Sequence, residues 1–150
     1  MTDTGDGDWD PLDPEIEARV RASFAAQGLM QTFGARIARL GRGRVTIAAP
    51  IGPGVTQQMG FAHAGLSFAI GDSAAGYAAL SALEMGAEVL TSEMKIHLLA
   101  PARGETLEAH GRVIRAGRRL VVVAADIHAL DRGERRHVAT LLGSMIPIET

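Results

Sequence analysis

The chain reads as a single α+β domain, a mostly antiparallel sheet wrapped against one long buried helix. Three observations predict this. Residues 65–85 are apolar almost all round, with Leu66, Phe68, Ala69, Ile70, Ala74, Ala75, Tyr77, Ala78, Leu80 and Leu83 leaving hardly any polar face, and a helix without a wet face is a buried one. Four strand-like runs follow it with short turns between them, and short turns join antiparallel neighbours. At 150 residues and 47% apolar, the chain is long enough to bury a real core without disulfide or metal staples.

Taken in order, residues 1–12 carry Asp3, Asp6, Asp8 and Asp10 among glycines and prolines, too little apolar surface to repay ordering. They are expected to form a disordered acidic tail, with the domain proper at 13–150. Asp13-Pro14-Glu15 supplies an N-cap, a proline at the first helical position and an acid in the first turn. A helix over 14–27 follows, with Ile16, Val20 and Phe24 as its stripe and Gly28 as its stop. From Ala35 the pattern shortens to alternation around Gly41-Arg42-Gly43, with Val45 and Ile47 on one face, which predicts a hairpin. Residues 50–62, with Pro53, Gly54 and Gly60, read as loop. The central helix is expected from Gly65 to Met85, stopped by Gly86. Its small residues, among them Gly71, Ala74, Ala75 and Gly76, let other backbone come close. Strands are expected from Leu90 to Leu98 and over 106–115, 120–129 and 136–148, separated by turns at Pro101 to Gly104, Ala116-Gly117-Arg118 and Asp131-Arg132-Gly133.

Composition narrows the function classes. With no cysteine, thiol nucleophiles, thiolate metal sites and disulfides are out, and a reducing cytoplasm is the expected compartment. A net charge of −2 does not suggest a nucleic-acid binder. No apolar run reaches the roughly 20 residues that span a bilayer, so no membrane partner is expected. His97, His110, His128 and His137 fall on separate strand segments without ligand-like spacing, and no metal site is expected.

The chemistry concentrates in Gly60-Phe61-Ala62-His63-Ala64-Gly65 and in Asp72 of the helix that follows. A buried carboxylate without a partner costs several kcal/mol, so Asp72 has either a neighbouring hydroxyl such as Ser73 or a chemical task. If Gly65 opens the helix, its free N–H lies at the positive end of the macrodipole, where a carbonyl oxygen gaining charge is stabilised. Asp72 lies seven residues further on, roughly 10 Å along the axis. One carbonyl cannot touch both, so the site calls for two copies related by a two-fold axis with antiparallel central helices. Arg103, Arg112, Arg115, Arg118 and Arg119 cluster in another segment and suggest a local anion site.

The order of elements, the stretch G-F-A-H-A-G-L-S-F-A-I-G-D-S-A-A-G over residues 60–76, the Ala100-Pro101-Ala102 turn and the Gly117-Arg118-Arg119-Leu120 hairpin together resemble the hotdog-fold acyl-CoA thioesterases of the phenylacetate-degradation type. The resemblance covers roughly residues 35–148. It implies hydrolysis of acyl-CoA thioesters by a dimer or dimer of dimers, with coenzyme A as part of the substrate and no other cofactor. It assigns Asp72 as general base for water, or less often as nucleophile, and a backbone amide, here Gly65, as the donor to the carbonyl. His63 orients the substrate carbonyl or fixes the loop. Gln57, with Gln58 one register away, supplies an amide to the thioester oxygen, and Thr91 positions the attacking water. Strict alternation puts Thr91 opposite Leu90, Met94 and Ile96 unless a bulge intervenes. Where the family usually has a second glycine this chain has Ala64. Arg112, Arg115, Gly117, Arg118 and Arg119 are the expected contacts to the CoA phosphates. Phe61, Phe68 and Tyr77 either line an acyl tunnel or are plain core. Two other readings use the same groove: a non-catalytic acyl-CoA-binding module, and a dehydratase or hydratase acting on acyl thioesters.

Overall fold

A computed structural model describes residues 7–150 of the chain. Helix α1 (Pro14–Ala26) and a short α2 (Gly28–Thr32) lead into strands β1 (Arg36–Gly41) and β2 (Arg44–Pro50), then α3 (Ala64–Ser81), β3 (Ala87–Leu98), β4 (Thr106–Ala116), β5 (Val121–Asp131) and β6 (Glu134–Glu149). The six strands form one sheet in the order β1-β2-β4-β5-β6-β3, antiparallel at every pairing. This is the expected α+β arrangement. Among the described residues no helix is long and apolar enough to cross a membrane.

Helix α3 is buried at twelve of its eighteen residues and lies against β2, β4 and β5. Small side chains permit the contact. A Cβ on Gly111 of β4 would fall 2.3 Å from the carbonyl carbon and oxygen of Ala74, closer than any side chain tolerates. One on Gly71 would meet Leu141 Cδ2 at 2.8 Å. Around these contacts Ile47, Leu66, Ile70, Leu80, Leu107 and Ile127 complete the core at 2% exposure or less.

Several boundaries differ from the sequence expectation. Helix α3 ends at Ser81 rather than Met85, where Arg19 of α1 takes over a carbonyl of its last turn, Nη2 donating to Leu80 O at 2.8 Å, and ties down the segment after it, Nη1 donating to Glu84 O at 2.8 Å. A cation at a helix C-terminus also complements the macrodipole. Gly86, with φ of +86°, turns the chain into β3 instead of capping α3. Gly28 opens α2 rather than closing α1, since the break falls at Gln27, which is extended. The loop over 50–62 contains a single 3-10 turn, Pro53–Val55, and a bridge between Thr56 and Ala62.

Of the expected tail, residues 1–6 lie outside the described residues, and 7–12 have no helix or strand but do pack. The Arg39 guanidinium sits 4.2 Å from the centroid of Trp9, and Arg42 N–H donates to Asp10 O at 3.1 Å.

Strand β3 breaks its alternation. The register with β6 shifts between Thr91 and Glu93, so an extra residue is accommodated and the faces exchange. Thr91 therefore joins Met94 and Ile96 on the helix side, and Leu90 turns outward at 59% exposure.

The helix-to-sheet contact gives a graded expectation. Gly111→Ala should lower unfolding stability in urea by about 2–3 kcal/mol, since helix backbone cannot move aside. Gly76→Ala, whose nearest neighbour is the flexible Met145 Cε at 3.7 Å, should be neutral or stabilising by up to about 1 kcal/mol.

Candidate functional site

The first part of the site is the entry to α3. Ala62 N–H donates to Ala102 O at 2.9 Å and His63 N–H to Val55 O at 2.8 Å, which holds the loop in place before the helix starts. His63 is the N-cap, with φ −63° and ψ 143°. Its Nδ1 accepts the Gly65 N–H at 2.8 Å, and its carbonyl accepts the Leu66 N–H at 2.9 Å. The Gly65 N–H is thus not the free donor expected. The helix begins one residue earlier, at Ala64, and Gly65 occupies the second helical position, whose N–H is the one an N-cap side chain engages. Among the described residues the Ala64 N–H has no hydrogen-bond partner. In a neutral imidazole, acceptance at Nδ1 leaves the proton on the exposed Nε2.

Ala64 borders a cleft of about 440 Å³ together with Gln57, Phe61, Ser67, Leu99 and Pro101. Gln58 is exposed and does not border it. The Gln57 side-chain oxygen accepts the Met59 N–H, which leaves its amide N–H groups for other partners. At the rim, the Arg103 guanidinium lies 5.0 Å from the centroid of Phe61.

The second part surrounds Asp72. Thr91 Oγ1 donates to Asp72 Oδ1 at 2.8 Å and lies 3.3 Å from Met145 Sδ. Ser73 is not the partner, because its hydroxyl donates to Gln27 Oε1 at 3.0 Å. Burial raises the Asp72 carboxyl above its ordinary value of 3.8, and the Thr91 hydrogen bond opposes that only in part. A cavity of about 120 Å³ opens beside it. Ala64 and Asp72 are eight residues apart on one helix, about 12 Å, and they border different cavities.

The arginine segment divides. Arg112 forms an ion pair with Asp126, Nη1 to Oδ2 at 2.7 Å, and Thr140 and His137 also face that carboxylate. It is therefore held on the sheet and does not join the other three. Arg115, Arg118 and Arg119 are exposed, without an ion-pair partner among the described residues. They surround the β4–β5 turn, where Gly117 N–H donates to Leu120 O at 3.0 Å and a Cβ would stand 2.5 Å from that oxygen. Val121, just beyond the turn, pairs with Met145, which pairs with Thr91. The basic turn and Asp72 thus occupy the same end of the sheet.

Strand register also brings together three histidines that sequence spacing kept apart. His110 and His128 rings lie 5.3 Å apart, and His128 stacks on His137 at 4.8 Å. Cross-strand neighbours leave no mark in linear spacing. Among the described residues no group of three His, Cys, Asp or Glu is arranged to hold a metal ion. Burial first, then Arg135, His110 and His137, push the His128 pKa down to about 4, with Asp126 opposing.

Comparisons with known proteins agree with this architecture. Residues 59–135 match the model of the thioesterase superfamily. A thioesterase family protein from Silicibacter pomeroyi shares 42% identity at a TM-score of 0.88, covering 90% of this chain and 99% of its own. A Bacillus halodurans protein solved with CoA shares 27% identity at a TM-score of 0.70, covering 91% and 93%. The E. coli PaaI protein, from the phenylacetic acid degradation operon, is 21% identical with a TM-score of 0.80 over 91% and 96%, a likeness of fold alone. Among curated proteins no match was found.

Two stability profiles follow from the shifted groups. A carboxyl whose pKa is raised on folding stabilises least when ionised, so stability falls as pH rises from the ordinary Asp value toward the folded one. Asp72→Asn, which still accepts from Thr91, should therefore melt higher than wild type at pH 7, with the gap closing by pH 3.8. For His128, depressed on folding, the unfolded chain binds the extra proton, and stability is lost as pH falls from 6.5 to about 4. A denaturant series on His128→Leu should show that acid limb flattened.

Proposed function

The chain belongs to the thioesterase superfamily, and from that premise we propose that it hydrolyses acyl-CoA thioesters to a free acid and CoA in sites each built by two copies of the chain. The observation that carries this reading is the pair of unlike groups on α3, an unpartnered N–H at Ala64 and a desolvated carboxylate at Asp72, too far apart to serve one carbonyl. Two chains with antiparallel α3 helices bring one chain's Ala64 opposite the other's Asp72, twice per dimer. Strand β3 supports such pairing: it is a twelve-residue edge strand with no neighbour on its outer side among the described residues, the kind of edge that invites another chain.

In this scheme the thioester oxygen accepts the Ala64 N–H at the positive end of the helix, with the Gln57 amide beside it. Thr91 occupies Oδ1 of Asp72, so Oδ2 takes a proton from water as the water oxygen bonds to the carbonyl carbon. A raised pKa makes Asp72 a stronger base than an exposed carboxylate, which favours the general-base role over the nucleophilic one. The tetrahedral oxyanion collapses, the C–S bond breaks, and the thiolate of CoA leaves and is protonated. Water is the only co-reactant. His63 and Gly65 act through the cap that holds Ala64 in place. Arg115, Arg118 and Arg119 receive the phosphates of CoA, a ligand borne by the Bacillus halodurans relative; Arg112 is assigned to Asp126 instead.

Release of CoA thiol across short, medium, long and aryl acyl-CoAs tests this. Asp72→Asn should lose at least about a hundredfold in kcat. Ala64→Pro should lose activity while staying folded, because proline suits the first helical position and lacks only the N–H, and the ψ of 143° at His63 suits a residue before proline. Mixing the two inactive variants under conditions of subunit exchange should restore about a quarter of wild-type activity, since half the dimers are hybrids and each hybrid has one intact site. No restoration, or a monomer by light scattering, overturns the shared site. Saturable acyl-CoA binding with no thiol release would make the chain a binding module.

A further inference from the structure

The cleft beside Ala64 contains a polar group that the rest of the chain leaves unused. Ser67 is 2% exposed and borders this cleft, and its hydroxyl has no hydrogen-bond partner among the described residues. A serine inside a helix often bonds the carbonyl one turn back, but Ser67 does not. The other two serines of α3 are both engaged, Ser73 with Gln27 and Ser81 with the carbonyls of Gly41 and Ala78. Nor is the Ser67 oxygen sealed in: among the described residues the side-chain atoms that are both enclosed and unpartnered are Trp9 Nε1 and Arg19 Nε. The hydroxyl therefore opens onto the cleft.

Its position bears on what it can meet. Ser67 follows Ala64 by three residues on the same face of α3, about 4.5 Å along the axis. Helical side chains lean toward the N-terminus, so this hydroxyl lies over the first turn, close to where the Ala64 N–H would meet the thioester oxygen. From that oxygen to one on the third carbon of an acyl chain is four covalent bonds, roughly 4–5 Å when extended. Elsewhere the cleft is walled by Phe61, Leu99, Pro101 and Val138. At about 440 Å³ it is nearly three times the roughly 150 Å³ cavity that holds a benzene molecule, room for a medium acyl chain, whereas the cavity of about 120 Å³ beside Asp72 is too small for one. In the shared site CoA runs toward the basic turn of the chain that supplies Asp72, which leaves this cleft, on the chain that supplies Ala64, to the acyl group. A plain acyl chain would cover the Ser67 hydroxyl and leave it unpaired.

Resting on the two-chain reading of the hydrolytic site, we propose that this cleft takes the acyl group and that Ser67 selects one bearing a hydroxyl on its third carbon, by donating to that oxygen. Alanine is the better helix former and leaves no polar atom unpaired, so Ser67→Ala should melt at least as high as wild type while losing the selection.

The experiment compares kcat/KM for 3-hydroxyoctanoyl-CoA, octanoyl-CoA and 8-hydroxyoctanoyl-CoA in wild type, Ser67→Ala and Ser67→Cys, the second of which keeps the side chain's shape but is a weak donor, with a melting curve for each. In wild type the 3-hydroxylated substrate should exceed the other two at least about tenfold, and that ratio should fall toward one in both variants. Octanoyl-CoA or 8-hydroxyoctanoyl-CoA hydrolysed as well as the 3-hydroxylated substrate by wild type overturns the selectivity and leaves the hydrolase reading standing. A high ratio unchanged in both variants overturns the assignment to Ser67, and so does a Ser67→Ala protein that melts below wild type, since its hydroxyl would then be part of the fold. No turnover of any of the three overturns both readings.

Discussion

Helix α3 carries both chemical ends of the candidate site, and its rise of about 1.5 Å per residue keeps them apart. That spacing is not adjustable, because the helix is held on the sheet by contacts with no slack. Gly111 meets the Ala74 backbone where even a methyl group has no room, and interiors packed at this density move as units. Ala64 therefore presents its N–H at one end of a rigid rod and Asp72 its carboxylate two turns further on. The chemistry of each is set by position. The first has the positive end of the macrodipole behind it, and the second has burial that the Thr91 hydrogen bond opposes only in part.

The strand that supports Asp72 departs from regularity where the site needs it. An unbroken β3 would turn Thr91 away from the helix and leave Asp72 without its donor. The register shift after Thr91 reverses the faces, at the cost of turning Leu90 out to water. Bulges concentrate at sheet edges and beside active sites because an edge strand tolerates one unpaired residue while re-aiming a side chain, and β3 is such an edge. Its open side and its outward leucines are costly in an isolated chain. In the proposed dimer a second copy covering that edge would remove the cost and complete the site together.

Much of this was legible in the sequence because periodicity reports burial. The all-apolar run over 65–85 marked the core helix, the short turns marked antiparallel strands, and the isolated acid in the apolar run pointed to the candidate site. What escaped depended on contacts from elsewhere in the chain. The end of α3 meets Arg19, sixty-one residues before Leu80, a contact that local signals do not carry. One residue of helix start separates Ala64 from Gly65, yet it decides which amide the cap consumes. Alternation alone left the side of Thr91 undecided between strict pairing and a bulge. Linear spacing grouped Arg112 with the basic turn, although its carboxylate partner lies across the sheet on β5, and it separated histidines that strand pairing stacks.

Helix α1 ties stability to the site. Its Arg19 holds the last turn of α3, while one and two turns along, Ser23 and Gln27 form the wall of the Asp72 cavity against Tyr77 and Ser73. The four-residue spacing puts Arg19 and Ser23 on one face of α1, and Gln27, the extended residue that ends the helix, reaches Ser73, so the docking that caps the core helix also closes the cavity. Loss of that docking would expose the C-terminal carbonyls of α3 and admit water beside Asp72 in the same event. Water there restores solvation to the carboxylate and relaxes its pKa toward the ordinary value. The helix outside the sheet is therefore part of what keeps the Asp72 carboxyl desolvated and its pKa raised, although none of its residues lies on α3 or in the strand that carries Thr91.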